Sequence, residues 1–338
     1  MIRLVQLTHP RHGRRVAVAD DRQLRFIQPY GSIYVLAKAA ISTNKSLADT
    51  VNRSLSNETL DYDPIHRGES EWKFLPAFDH PEEPTRCLVT GTGLTHKASA
   101  ENRQAMHAGE NGEKKAAAMT DSMRMYQWGL EGGRPAPSQI GVSPEWFYKG
   151  CGTVLRAHNE PLEVPSFGND GGDEAEVAGA YIIDPSGKPR RVGLVLSNEF
   201  SDHVLEQKNY LYLAHSKLRT CALGPELVID ADFKNNRGRV SVERDGKVIW
   251  SDQFFTGETN MSHTLENLEH HHFKYAAHCR PGDAHIHFLG ADVFSFGAGI
   301  ALQTGDVMQI ELSGFGKPLR NPIHIHRTAP THVKVEQL

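Results

Sequence analysis

Cysteine is scarce and badly spaced for a scaffold: Cys87, Cys151, Cys221 and Cys279 lie 58 or more residues apart in the 338-residue chain. With no C-x-x-C among them they make neither a zinc knuckle nor a disulfide framework, and they read as reduced thiols. An excess of one charge is lacking too. Lys+Arg 37 against Asp+Glu 41 gives a net charge of −4, with both signs scattered along the chain, so composition points to neither nucleic acid nor an anionic membrane as partner. No apolar run approaches the ~20 residues of a membrane helix, and the apolar start, Met1–Leu7, is too short for a signal-peptide core. A cytoplasmic location is the default expectation. Gly91-Thr92-Gly93 lacks the Lys-Ser/Thr that follows in phosphate loops.

What is present suits an ordinary globular protein of one or two domains. Residues 1–85 alternate short apolar and polar runs, followed by a helical pattern from Ser32 through Leu55, which predicts a small N-terminal α/β lobe. The connector Leu75 to Pro84 is rich in proline and charge and places the lobe boundary near residue 85. Beyond it come a strand at Cys87–Thr90, a polar helix at Ser99–Met106, and a helix with a surface loop within residues 109–137. From about residue 145 the pattern is β-dominated, with strands at Val177–Ile183, Arg191–Leu196, Glu226–Ala231, Arg239–Glu243, Lys247–Trp250 and Asp306–Leu312.

The most informative stretch runs from Asn169 to Tyr181. Glu174 and Glu176 are two apart at the entry to an apolar strand, so the period of two sets both carboxylates on one face. Like charges held together call for a cation, and hard oxygen ligands favour Mg2+, Mn2+ or Ca2+ over zinc. A solvated acidic turn feeding an edge strand is the alternative. A second cluster bears on the choice: the strand Leu194–Ser197 ends in Asn198-Glu199, a third carboxylate, and Lys217 follows as a proton carrier or carboxylate anchor.

The order of elements resembles the fumarylacetoacetate hydrolase family. The pieces are Gly93-Leu94-Thr95-His96, Pro144 to Lys149, Asp173-Glu174-Ala175-Glu176-Val177-Ala178, and Asn198-Glu199. Lys217 with Leu223-Gly224-Pro225 follows, then Gly257-Glu258-Thr259-Asn260-Met261, and last Leu302 to Val307 with Gly314 to Asn321. The resemblance covers residues 86–322. It implies an α+β fold, with a mixed β-roll catalytic domain over residues 86–338 behind the N-terminal lobe, assembling as a homodimer or homotetramer. It implies Glu174, Glu176 and Glu199 as ligands of Mg2+ (Mn2+ or Ca2+ also fitting), with Glu199 standing where most members have Asp. Lys217 matches the active-site lysine, a neutral amine being reasonable beside a dication. Phe147, Lys149, Ser99, Asn198 and Thr259 match positions around a small 2-keto acid substrate.

The departures point to the substrate. Ser99 and Asn102 stand where the family's C–C hydrolases carry a His and a Glu that activate water, and a serine is no base near neutral pH. His203 lies near the place of a missing arginine. These departures resemble the branch that dehydrates 2-keto-3-deoxy sugar acids, such as 2-keto-3-deoxy-D-arabinonate to 2,5-dioxopentanoate in non-phosphorylative pentose catabolism. Lys217 or Glu101 would then take a C3 proton, and His96 would protonate the leaving C4 hydroxyl. Two other classes stay open: a hydrolase of acylpyruvate or 2,4-diketo-3-deoxy sugar acids, and a non-catalytic keto-acid binder. The 19 histidines include His285/His287 and His324/His326, read as hydrogen-bonded strand residues rather than metal ligands, and His270 to His272, read as a solvated helix end.

Overall fold

The computed structural model describes residues 1–108 and 119–338. The chain opens with β1 (Ile2–His9), β2 (Gly13–Ala19) and β3 (Gln23–Ile27), antiparallel neighbours joined by short turns. Two helices follow, α1 (Ile33–Ser42) and α2 (Leu47–Ser54), where the sequence predicts one. Asn44, with φ of 52°, ends the first in the left-handed region, and Ser46 starts the second by accepting a bond from the Asp49 amide at 3.0 Å. Next come β4 (Leu55–Asp61), α3 (Tyr62–His66), β5 (Lys73–Phe74), β6 (Cys87–Gly91), α4 (Lys97–Ala108) and α5 (Asp121–Gly132). Of the segment 109–137, residues 109–118 lie outside the described residues.

The β-dominated half holds β7 (Phe147–Cys151), β8 (Leu155–Arg156), β9 (Leu162–Val164), β10 (Ala175–Ile183) and β11 (Pro189–Asn198). After the short helices α6 (His203–Lys208) and α7 (Leu213–Lys217) come β12 (Cys221–Ile229), β13 (Asn236–Arg244), β14 (Lys247–Thr256) and α8 (Leu265–Phe273). The last strands are β15 (Ala284–Phe288), β16 (Val307–Leu312) and β17 (Leu319–Ile325).

One mixed sheet runs β4-β3-β2-β1-β12-β11-β10-β15-β6-β7, and a smaller one runs β14-β13-β16-β17-β9. The alternation of β10 explains the layers. Ala175 and Val177 pack with Leu196, Val240, Phe254 and Ile310 between the two sheets, while Ala178, Ala180 and Ile182 pack on the other face with Ile33, Leu36 and Val51 of the α1/α2 layer. The expected break at residue 85 does not divide the main sheet: β1 pairs with β12 in register Leu4↔Leu227, and Leu4 and Val16 share a core with Leu227 and Ile286. A second core, with Val5, Leu7, Leu24, Phe26, Tyr62 and Trp72, is drawn almost wholly from residues before the break.

The histidines need one correction. His271 and His272 are buried, not solvated, and His272 Nε2 lies 3.1 Å from His285 Nδ1 while Trp146 Nε1 donates to His272 Nδ1 at 3.2 Å. His287 sits between the hydroxyls of Thr90 and Thr92 at 2.8 and 2.9 Å. Burial pushes His285 down to about 4 and His287 down to about 3, so both are neutral packing residues. Among the described residues no helix is long and apolar enough to cross a membrane.

Candidate metal centre

The β10–β11 hairpin builds the site. Ala175 pairs with Asn198 and Glu176 with Ser197, so the two strand ends deliver Glu174, Glu176 and Glu199 to one place. The Glu199 amide donates to the Glu174 carbonyl at 3.0 Å and closes the ladder. All three side chains are buried, and one carboxylate oxygen from each lies within 4.8 Å of the others. Among the described residues this is the only such gathering of metal-capable groups.

The electrostatics show what the cluster needs. Burial, then the charges of Glu199 and Glu174, push Glu176 well above the usual carboxylate range. Burial and Glu174 push Glu199 up to about 7, against the pull of Lys149 and Lys217. Burial also disfavours ionised Glu174, but Lys217 and His203 outweigh it and hold that carboxyl well below its ordinary value. Glu176 is steadied by the Gly290 amide, which donates to Oε2 at 2.8 Å.

Lys217, at the end of α7, donates to Glu174 Oε1 at 2.6 Å, Glu199 Oε2 at 2.5 Å and Ser201 Oγ at 2.9 Å, with Phe147 beneath it at 4.8 Å. Burial works against its charge, yet with no cation among them the two carboxylates raise its proton affinity. Lys149, on β7, donates to the Glu199 carbonyl at 2.7 Å, to Glu199 Oε1 and to the Phe200 carbonyl at 2.9 Å. All three of its donors serve the protein, which makes it the anchor of Glu199 rather than a hand held out to substrate.

With every carboxyl ionised, Glu174, Glu176 and Glu199 outweigh these two lysines by one charge. A divalent cation among the three clustered carboxylates relieves this excess negative charge. The donor set, three carboxylate oxygens, fits a hard divalent ion.

The other expected site residues divide. His96 is buried at the start of α4, its Nδ1 2.9 Å from Thr95 Oγ1 and its Nε2 without a hydrogen-bond partner among the described residues. Burial pushes it down to about 3, so it is a neutral imidazole and no reservoir of acid. Glu101 faces solvent on α4, 3.4 Å from Lys97, and is not brought to the carboxylates. Ser99 folds back on its own helix, its hydroxyl donating to the His96 carbonyl at 3.3 Å. Asn198 is structural: its Oδ1 accepts from the amides of Glu174 and Phe200 at 3.1 and 3.2 Å, fixing the backbone of two ligand segments. Thr259 is exposed in a turn pinned to the chain at Phe233–Lys234, its hydroxyl donating to the Lys234 carbonyl at 2.8 Å. No contact joins it to the cluster.

Residues the motifs did not assign complete the site. His203 Nε2 meets Glu174 Oε1 at 3.0 Å with its ring against Phe294 and Phe296, and burial opposes its charge less than Glu174 favours it. A Cβ at Gly172 would lie 2.1 Å from His203 Nδ1, so glycine is required there for the ring to fit. Ser201 donates to Glu199 while accepting from Lys217.

Comparison with solved structures places the fold. A hexagonal crystal form of 2-keto-3-deoxyarabinonate dehydratase matches with a TM-score of 0.70 at 20% identity, over 96% of this chain and 100% of that one. The 2-keto-3-deoxy-D-arabinonate dehydratase complexed with magnesium and 2,5-dioxopentanoate matches at 0.68, with the same identity and coverage. A 5-carboxymethyl-2-hydroxymuconate delta-isomerase from Mycobacterium smegmatis matches at 0.56 and 16% identity, over 96% of this chain and 100% of that one. No protein-family model and no curated protein sequence matches the chain. The chain shares the fold of 2-keto-3-deoxyarabinonate dehydratase.

Proposed function

We propose that this protein is a Mg2+-dependent dehydratase of a 2-keto-3-deoxy sugar acid, with 2-keto-3-deoxy-D-arabinonate as substrate. The observation that carries the reading is the buried three-carboxylate cluster with Lys217 bonded to two of its members, in a fold of which one solved example is complexed with magnesium and 2,5-dioxopentanoate. A divalent ion on Glu174, Glu176 and Glu199 supplies Lewis-acid polarisation of the keto group when bound.

The chain's own residues do the rest. Dehydration removes one C3 proton and the C4 hydroxyl as water. The enone then isomerises, C5 giving up a proton and C3 regaining one, and the C5 enol tautomerises to the aldehyde. With a dication on those carboxylates disfavouring its ammonium form, Lys217 as the amine would take the C3 proton and pass it to the departing C4 hydroxyl, and the amine so restored would carry a proton from C5 to C3. Ser201 and Phe147 fix the direction of Nζ, and Lys149 keeps Glu199 in place.

Hydrolysis of a C–C bond needs a base for water, and Ser99 and Asn102 supply none, which favours loss of water over its addition. Incubation with Mg2+ and a panel of 2-keto-3-deoxy pentonates and hexonates, read by product mass, tests the proposal. Loss of one water, about 18 mass units, supports it. Release of pyruvate selects the hydrolase reading, and binding without conversion selects the binder.

A further inference from the structure

Four segments that frame the carboxylate cluster meet at one side chain outside it. Arg103, on α4, is largely buried between two carboxylates: Nη1 donates to both Glu145 oxygens at 3.0 Å, and Nε lies 2.5 Å from Glu206 Oε1. Glu206 belongs to α6, whose first residue, His203, bonds Glu174. Glu145 lies just before β7, which carries Phe147 under Lys217 and Lys149 on Glu199, and it also accepts from Tyr210 Oη at 2.8 Å. The loop leading to His96 passes against the same carboxylate. A Cβ at Gly93 would lie 1.8 Å from Glu145 Oε2, so this approach is open to glycine and to no larger residue.

Burying a guanidinium with two carboxylates is costly to assemble, and well-packed apolar groups of similar volume commonly match such a cluster in stability. What apolar groups do not provide is the fixed angle of a planar, five-donor fork. Asn102, beside Arg103, abuts Gly297, whose neighbour Phe296 lies against the His203 ring, so a shift of α4 reaches the site by a second route.

We propose that Arg103 is the positioning residue of this centre: its fork sets α4, α6 and the β7 segment at one spacing, and through them the orientation of His203, Lys149 and the His96 loop around the three carboxylates. Only the turnover arm of its test rests on the dehydratase reading.

Arg103→Lys keeps the charge but replaces the planar guanidinium, whose Nη1 and Nε face Glu145 and Glu206 at a fixed angle, with a single nitrogen on a flexible stem. The full-length variant and wild type are compared by Mg2+ calorimetry, by turnover of 2-keto-3-deoxy-D-arabinonate and by amide hydrogen exchange. Mg2+ affinity should stay within about twofold, because the charge balance is unchanged. The kcat should fall roughly tenfold or more while KM moves less, as misplacement of reacting groups does. Amides of α4 and α6 should exchange roughly tenfold faster, with β10 and β11 unchanged. Glu145→Gln leaves the fork half-anchored and should show the same exchange pattern, and it stands in if Arg103→Lys does not fold. Wild-type exchange in α4 and α6 overturns the proposal, as does wild-type kcat in either variant. A parallel loss of Mg2+ affinity, kcat and protection throughout the chain also overturns it, marking a folding residue. If wild type converts no keto acid, the dehydratase reading fails while the exchange and Mg2+ arms still decide the role of Arg103.

Discussion

Acidification from about pH 8 to about pH 6 should weaken Mg2+ binding roughly tenfold, because the ion competes with a proton for Glu199. Burial and the charge of Glu174 push Glu199 up to about 7, and Glu176 is raised in the same direction. A group of that affinity is ionised about nine parts in ten at pH 8 and about one in ten at pH 6, which converts to about 1.4 kcal/mol of binding free energy. Glu176 can only steepen the fall. Isothermal titration in buffers of different ionisation enthalpy reads both quantities, and at least about one proton should be released per ion bound near pH 6. Equal dissociation constants at both pH values, with no proton release, would refute the claim that the ion sits on these carboxylates.

Lys149→Met leaves Glu199 buried beside Glu174 with one counter-charge fewer, and should cost about 3–5 kcal/mol in denaturant unfolding. His287→Gln tests the packed histidines. The folded pKa of His287, about 3, lies below its ordinary 6.5, so unfolding takes up a proton once the pH is under about 6.5; stability present above that pH is lost as pH falls. Between about pH 7.5 and about pH 5 the variant should therefore lose about 2 kcal/mol less than wild type in parallel urea titrations, and coincident slopes would contradict the assignment. Glu101→Gln and Thr259→Val, both at the surface away from the cluster, should keep kcat/KM within about twofold of wild type in steady-state assays.

How far the sequence foretold the site depends on the range of the interaction. Glu174 and Glu176 were legible because strand alternation is local, and Glu199 because it ends the partner strand of the same hairpin. Asn198, expected to contact substrate, has a backbone role that was not legible: its side-chain oxygen accepts from the amides of Glu174 and Phe200, contacts that exist only once the hairpin has paired. Thr259 matched a motif, but bonds from the Glu258 and Thr259 amides to Phe233 and Lys234 turn its hydroxyl elsewhere. Glu101 and Arg103 sit two apart on α4, so helical periodicity sends one to solvent and the other inward, and only the tertiary partners say which. The Arg103, Glu145 and Glu206 fork joins segments about forty to one hundred residues apart, a separation that no local pattern encodes. The joining of the N-terminal strands to the main sheet was hidden for a like reason, since the pairing of β1 with β12 spans most of the chain.

The central claim is that Glu174, Glu176 and Glu199 together form a centre that makes the proton beside a keto group labile. Exchange of the C3 protons of 2-keto-3-deoxy-D-arabinonate with deuterated water, followed by NMR with and without Mg2+, tests it most directly. The account predicts Mg2+-dependent exchange in wild type that is lost in Glu176→Gln, a variant that keeps the shape of the side chain and removes its charge. Exchange at the wild-type rate in that folded variant, or exchange indifferent to Mg2+, would contradict it.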